Sequence, residues 1–250
     1  MSDFKPRLGV DLNGVKFSNP ILTASGCFHY GREFEPYLDV RKLGGVIVKS
    51  LAIKPWPGHA PPRGAEVSSG MLNAIGLQNP GIAAFCDRDL PWLLDHGATV
   101  VASIVGNTVE EYIRVTDIVA IAKAAVQGGT HGLSVINTAL GMAVDTETFA
   151  PKLSTFTGGL SGPALKPLAI RCVYQVSRAF PDVPIIGQGG IWTGADVAEF
   201  MLAGAWAVAV GTANFVNPRA STVILEEFRA YCRRKGIADV AELRSKLKLG

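Results

Sequence analysis

The chain reads as an α/β protein built as a TIM-type (β/α) barrel, and three features of its sequence predict this. Short runs rich in β-branched residues alternate with longer helical stretches. The runs are apolar throughout instead of alternating with polar residues, and glycine and asparagine cluster just after them. A parallel strand roofed by helices needs a continuous apolar run, whereas a half-solvated antiparallel strand alternates.

The strands are expected in order at Ile21–Ser25, Val46–Ser50, Val100–Val105, Leu133–Asn137, Pro184–Gly187 and Ala205–Gly211. Helical patterns cover Ala164–Phe180 and Thr193–Ala203. A closed barrel of this kind has eight strands, and six are found, so the expected barrel is short of two strand–helix units. The segment Asn107–Gly128 opens on a capping box, Thr108 with Glu111, and stops at a glycine. Thr116-Asp117 in its middle has the character of a second helix start, because such side chains compete for backbone hydrogen bonds. One helix and two are both compatible with the pattern. No shift in composition divides the chain, which reads as a single domain over residues 1–250.

Composition narrows the function classes. The chain has 24 basic and 21 acidic residues in 250, with no basic block or stripe, so nothing marks it for nucleic acid. Its four cysteines, Cys27, Cys86, Cys172 and Cys232, are far apart and lack histidines at ligand spacing, which argues against a zinc site or disulfide framework. The start, Met1-Ser-Asp-Phe-Lys-Pro6, has no apolar core of a leader, and no apolar run reaches membrane-spanning length. A cytoplasmic protein away from membranes is the expectation.

Several residues carry the chemistry. Lys49 ends the second strand, and a side chain at that end of a barrel strand points into the mouth, where it would meet a substrate carboxylate or an anionic cofactor; a salt-bridged structural lysine is the alternative. Asn137-Thr138 closes another strand in the same way. The segment Ser69–Gly81 carries two amides, Asn73 and Asn79, between glycines and a proline. Amides suit a ligand with alternating C=O and N–H groups, but asparagines also satisfy their own turns, and both readings stand. Three glycine-rich turns are expected at Thr157–Gly162, Gly187–Gly190 and Gly211–Asn214. The last two follow the final strands, where barrels bind phosphate through backbone N–H groups. His29, His59, His96 and His131 read as ordinary histidines, Met71 and Trp92 as packing residues, and Cys27 as a thiol near the pocket and inert through burial.

Taken together, these segments resemble the NAD-linked (class 1B) dihydroorotate dehydrogenase catalytic subunit. The matching pieces run from Asn19-Pro-Ile-Leu-Thr-Ala-Ser-Gly-Cys-Phe28 and Val48-Lys-Ser50 to Gly70-Met-Leu-Asn-Ala-Ile-Gly-Leu-Gln-Asn-Pro-Gly81 and Val105-Gly-Asn107. They continue in family order with Leu133-Ser-Val-Ile-Asn-Thr138, Thr157-Gly-Gly-Leu-Ser-Gly-Pro163, Ile186-Gly-Gln-Gly-Gly-Ile191 and Val210-Gly-Thr-Ala-Asn-Phe215. The resemblance implies FMN at the barrel mouth, with its phosphate on Gly189, Gly190, Gly211 and Thr212. Ser25, Lys49, Ser50, Asn107, Ile136 and Gly162 would contact the rest of the flavin. Dihydroorotate or orotate would be held by Lys49, by Asn73, Ala74, Ile75, Gly76 and Leu77, and by Asn137 and Thr138. It further implies oxidation of dihydroorotate to orotate in pyrimidine (UMP) synthesis, a partner subunit carrying FAD and an iron–sulfur cluster, and a homodimer within a heterotetramer.

The resemblance breaks at one place. After Asn107-Thr-Val-Glu-Glu-Tyr-Ile113 the family continues through a strand ending in Asn-Ile-Ser-Cys-Pro-Asn, a helix, and a strand ending in Lys-Leu-Ser-Pro-Asn. This chain passes directly to Val115-Thr-Asp-Ile-Val119. The difference is on the order of 60 residues, at about 30 for each strand–helix unit. By the resemblance it takes away the base cysteine, so no catalytic residue is assigned, together with an asparagine shared by flavin and substrate and a lysine at the flavin. An inactive flavin-binding or partner-binding relative is therefore a second expectation. A flavin-free phosphate-binding barrel is a third, but it leaves the Met71-Leu-Asn-Ala-Ile-Gly-Leu-Gln-Asn-Pro-Gly81 loop unexplained.

Overall fold

The computed structural model describes residues 5–52, 54–103, 118–127 and 130–248. All six expected strands form, as β1 (Ile21–Thr23), β2 (Gly45–Ile47), β3 (Val100–Val101), β4 (Leu133–Val135), β5 (Ile185–Gln188) and β6 (Ala207–Val210). They make one parallel sheet in the order β3-β2-β1-β6-β5-β4. The first strand is laced to the last through Thr23↔Val210 and its neighbours, as in a closed barrel. Among the described residues β3 and β4 have no strand on their outer sides, so the curled sheet is a barrel open at one seam. In the chain the two seam strands are separated by residues 102–132, the stretch in which two units are expected to be missing.

The helices outside the sheet include α1 (Leu90–Asp95), α2 (Ile118–Gln127), α3 (Lys166–Ala179), α4 (Gly194–Leu202) and α5 (Ala220–Lys235). Their ends follow local rules. Pro167 sits in the first turn of α3, Thr193 and Asp196 form a capping box on α4, and α5 stops at left-handed Gly236. Ile21, Ile185, Val208 and Val210 on the sheet, and Val197, Phe200, Ile224 and Phe228 on the helices, are essentially fully buried. Each such side chain stabilises the fold by about 1.5–3 kcal/mol, enough to tolerate costly polar groups at one end.

Several expectations need correction. Ser25 does not continue β1 but opens a short helix, Ser25–Phe28. The glycine-rich stretch 157–162 is not a turn. Thr157–Ser161 is the inner strand of a four-stranded antiparallel sheet that also contains Gly64–Val67, Gly70–Asn73 and Ala139–Met142. The supposed loop Ser69–Gly81 therefore begins as a strand. The glycines mislead because they serve close strand approach: a Cβ on Gly158 would lie 2.6 Å from the Asn73 carbonyl oxygen, and one on Gly70 2.3 Å from that of Ser161. Of the expected helical segment Asn107–Gly128, Ile118–Gln127 is helical. Thr108, Glu111, Thr116 and Asp117 lie outside the described residues.

Candidate active site at the barrel mouth

Parallel strands end on one side of the sheet, so the residues that follow β1, β2, β4, β5 and β6 share one rim. Gly189 and Gly190 follow β5, and Gly211 and Thr212 follow its neighbour β6. Gly189 and Gly190 have positive φ, +120° and +79°. A Cβ on Gly190 would meet the Lys166 backbone nitrogen at 2.8 Å and the Gly162 carbonyl oxygen at 2.9 Å, so Gly162 and the start of α3 close over this turn. Among the described residues, none of the N–H groups of Gly189, Gly190, Gly211 and Thr212 donates to a protein acceptor. Two adjacent turns thus present free backbone donors, which is the chemistry of a phosphate cradle.

Beyond β2, the Lys49 N–H donates to the His29 carbonyl oxygen at 3.1 Å, and the side chain is buried at 7% exposure. No carboxylate among the described residues forms an ion pair with it. Burial pulls its pKa below the ordinary 10.5, and the nearby Cys27 opposes this slightly. A buried ammonium without a counter-ion is costly, and an anionic ligand would offset that cost. The salt-bridged structural alternative for Lys49 is not what the described residues show. Ser50 Oγ lies 2.9 Å from Ser103 Oγ, Ser25 is half-buried at the head of its helix, and the Ile136 N–H donates to the Gln188 carbonyl oxygen at 3.1 Å. Asn107 lies outside the described residues.

The antiparallel sheet brings a second group together. The Asn73 amide donates to the Gly159 carbonyl oxygen at 3.3 Å, and a Cβ on Gly159 would fall 2.0 Å from Thr138 Oγ1. Asn73 and Thr138 therefore converge on Gly159. Asn137 and Thr138 are exposed, and the Asn137 Oδ1 accepts the Thr138 N–H. Ala74, Ile75, Gly76 and Leu77 form the turn beyond Asn73, with positive φ at Gly76 and Leu77. His59 braces this turn, its backbone N–H donating to Ile75 and its ring Nδ1 3.2 Å from the Ala74 carbonyl oxygen. Sequence reading missed that role, since nothing in the spacing joins His59 to residues 74–76.

The two amides of the loop part company here. Asn79 is buried, its Oδ1 accepts the N–H groups of Ala52 and Gly81, and its Nδ2 donates to Leu77. It staples the loop, with both lone pairs of its oxygen and one of its two amide N–H groups engaged by the backbone.

A model of the dihydroorotate dehydrogenase family matches residues 7–117 and 114–231. The chain belongs to the dihydroorotate dehydrogenase family. It is 42% identical to the dihydroorotate dehydrogenase B (NAD(+)) catalytic subunit of Alkaliphilus metalliredigens, over 97% of this chain and 99% of that one. The catalytic subunits of Alkaliphilus oremlandii and Bacillus caldolyticus are each 41% identical, over 96% and 94% of this chain and 98% and 94% of theirs. These three alignments run over 301, 298 and 295 residues, more than the 250 of this dihydroorotate dehydrogenase homologue. Among its described residues no helix is long and apolar enough to cross a membrane.

Proposed function

We propose that the chain is an FMN-dependent oxidoreductase subunit that converts dihydroorotate to orotate in de novo pyrimidine (UMP) synthesis, acting in the cytoplasm as one barrel domain over residues 1–250. The observation that carries this reading is the pair of adjacent turns whose four N–H groups are free among the described residues, on the same rim as a buried lysine with no counter-ion among them. The names of the relatives support the substrate and the NAD linkage.

The residues fit the cofactor. Gly189, Gly190, Gly211 and Thr212 would hold the FMN phosphate, and Ser25, Lys49, Ser50, Asn107, Ile136 and Gly162 the remainder. Bound FMN supplies an acceptor for the hydride that leaves C6 of dihydroorotate. Lys49 neutralises the substrate carboxylate, while Asn73 to Leu77, Asn137 and Thr138 offer amide and hydroxyl groups to the pyrimidine edge. A partner subunit with FAD and an iron–sulfur cluster would carry the electrons on to NAD, in a heterotetramer built on a homodimer.

The C5 proton has no assigned acceptor. The longer alignments, and family matches that meet at residues 114–117, support a chain from which the base-bearing segment is missing. Losing a general base costs a factor of about 10²–10⁴, so turnover far below that of a full-length relative is expected. A flavin-binding relative without turnover is the second reading, favoured by the open seam between β3 and β4. Anaerobic addition of dihydroorotate to the FMN-loaded full chain separates the two: slow bleaching of the flavin band supports the first and an unchanged spectrum the second. Absence of FMN binding would sink both. An intact mass measured beside the spectrum checks the chain length.

A further inference from the structure

Cys27 stands beside the phosphate turn. It lies in the short helix that follows β1, and its N–H donates to the Ala24 carbonyl oxygen at 3.1 Å. Ala24 in turn donates its own N–H to the Val210 carbonyl oxygen at 2.8 Å, one residue before Gly211. A Cβ on Gly211 would lie 3.2 Å from the Ala24 Cβ and 3.4 Å from the Cys27 sulfur. The turn after β6 is thus packed against Ala24 and Cys27.

We propose that Cys27 is a positioning residue for the phosphate turn, its side chain backing Gly211 so that this turn aims its N–H groups at the ligand. The inference rests on the phosphate-cradle reading of Gly189, Gly190, Gly211 and Thr212. Burial pushes the Cys27 thiol to about 11, against the pull of Lys49 and Thr212, so near neutral pH it acts as an uncharged S–H group. Such a thiol is a poor nucleophile and suits bracing better than chemistry.

The test compares FMN with riboflavin, which lacks the phosphate, on the full chain. Cys27→Ala should weaken FMN about three- to tenfold, as expected when the packing behind Gly211 is lost, and leave riboflavin unchanged. Cys27→Ser, which keeps an atom in the sulfur's place behind Gly211, should restore most of the FMN binding. An equal loss for both ligands, or no loss for either, overturns the positioning role. A wild-type chain that does not prefer FMN to riboflavin overturns the cradle reading beneath it, which is a separate result. Should Cys27→Ala fail to give soluble protein, iodoacetamide labelling of the wild type with peptide mapping decides, using exposed Cys86 as the internal reference. FMN should slow labelling at Cys27 more than riboflavin does, and an unchanged rate with FMN bound overturns the proposal.

Discussion

The Lys166 ammonium lies 2.7 Å from Asp196 Oδ1, while Asp196 Oδ2 accepts the N–H groups of Trp192 and Thr193. One carboxylate therefore ties the head of α3 to the segment that leaves the Gly189-Gly190 turn. Burial raises the Asp196 pKa, but Lys166 and the two backbone donors outweigh it and leave the carboxyl below its ordinary 3.8.

A group with a depressed carboxylate pKa contributes stability above its unfolded value and loses it as pH falls through the folded one. Asp196 should hold its contribution down to about pH 4, the unfolded aspartate value, and surrender it at lower pH. Asp196→Ala also removes the Asp196 half of the α4 capping box and should cost about 1–2 kcal/mol in denaturant titrations. The variant's deficit should shrink in the most acidic buffers, and a pH-independent deficit would contradict this account.

Gly190 and Gly14 offer a matched comparison. Both have positive φ, but a Cβ on Gly14 meets nothing within 4 Å, whereas one on Gly190 meets Lys166 and Gly162. Gly14→Ala should cost about 1 kcal/mol from backbone strain alone. Gly190→Ala should cost more and reduce FMN binding at least tenfold, because the turn must shift to relieve the methyl group's contacts with Lys166 and Gly162. Equal thermal shifts, with FMN affinity kept, would remove Gly190 from the site.

Lys49 titrates in the opposite sense to a paired lysine. Its folded pKa lies below 10.5, so the unfolded chain binds the proton more tightly and the apo protein gains stability as pH rises toward that value. Lys49→Met should flatten this rise and leave the apo protein no less stable at neutral pH. Binding of an anionic pyrimidine to the FMN-loaded chain should fall by a factor of about 10 or more, in keeping with loss of a charge-assisted hydrogen bond. Apo-protein melts across pH and orotate difference spectra read the two effects separately.

Asn79 is expected to behave as a structural residue. Asn79→Ala leaves the N–H groups of Ala52 and Gly81 without acceptors and should destabilise the chain by about 1–3 kcal/mol. Added flavin should recover part of this loss, and ligand contacts should be altered only indirectly. A variant of wild-type stability that had lost pyrimidine binding would assign Asn79 to the ligand after all.

The strands of the parallel sheet were legible because the central ones, β2, β1 and β6, bury both faces, which forces unbroken apolar runs such as Val46-Ile-Val48. The positions of Lys49, Gly190 and Gly211 followed, since strand ends fix the rim. The antiparallel sheet was not legible. Gly70–Asn73 and Thr157–Ser161 pair across a long stretch of chain, and glycines chosen for close approach look like turn residues when read alone. Asn73 and Asn79 were indistinguishable in sequence, because whether an amide is free depends on which backbone groups the fold brings to it. His59 was missed for the same reason.

The lacing of β1 to β6 has a consequence for how this scaffold tolerates change in length. The wall that carries Lys49, Gly211 and Gly189 is β2-β1-β6-β5, four neighbours held by hydrogen bonds between the two ends of the chain. The seam strands β3 and β4 stand at the two ends of the sheet order, with the β1–β6 joint at its centre. The four strands of that wall keep all their mutual pairings in a sheet that does not close among the described residues.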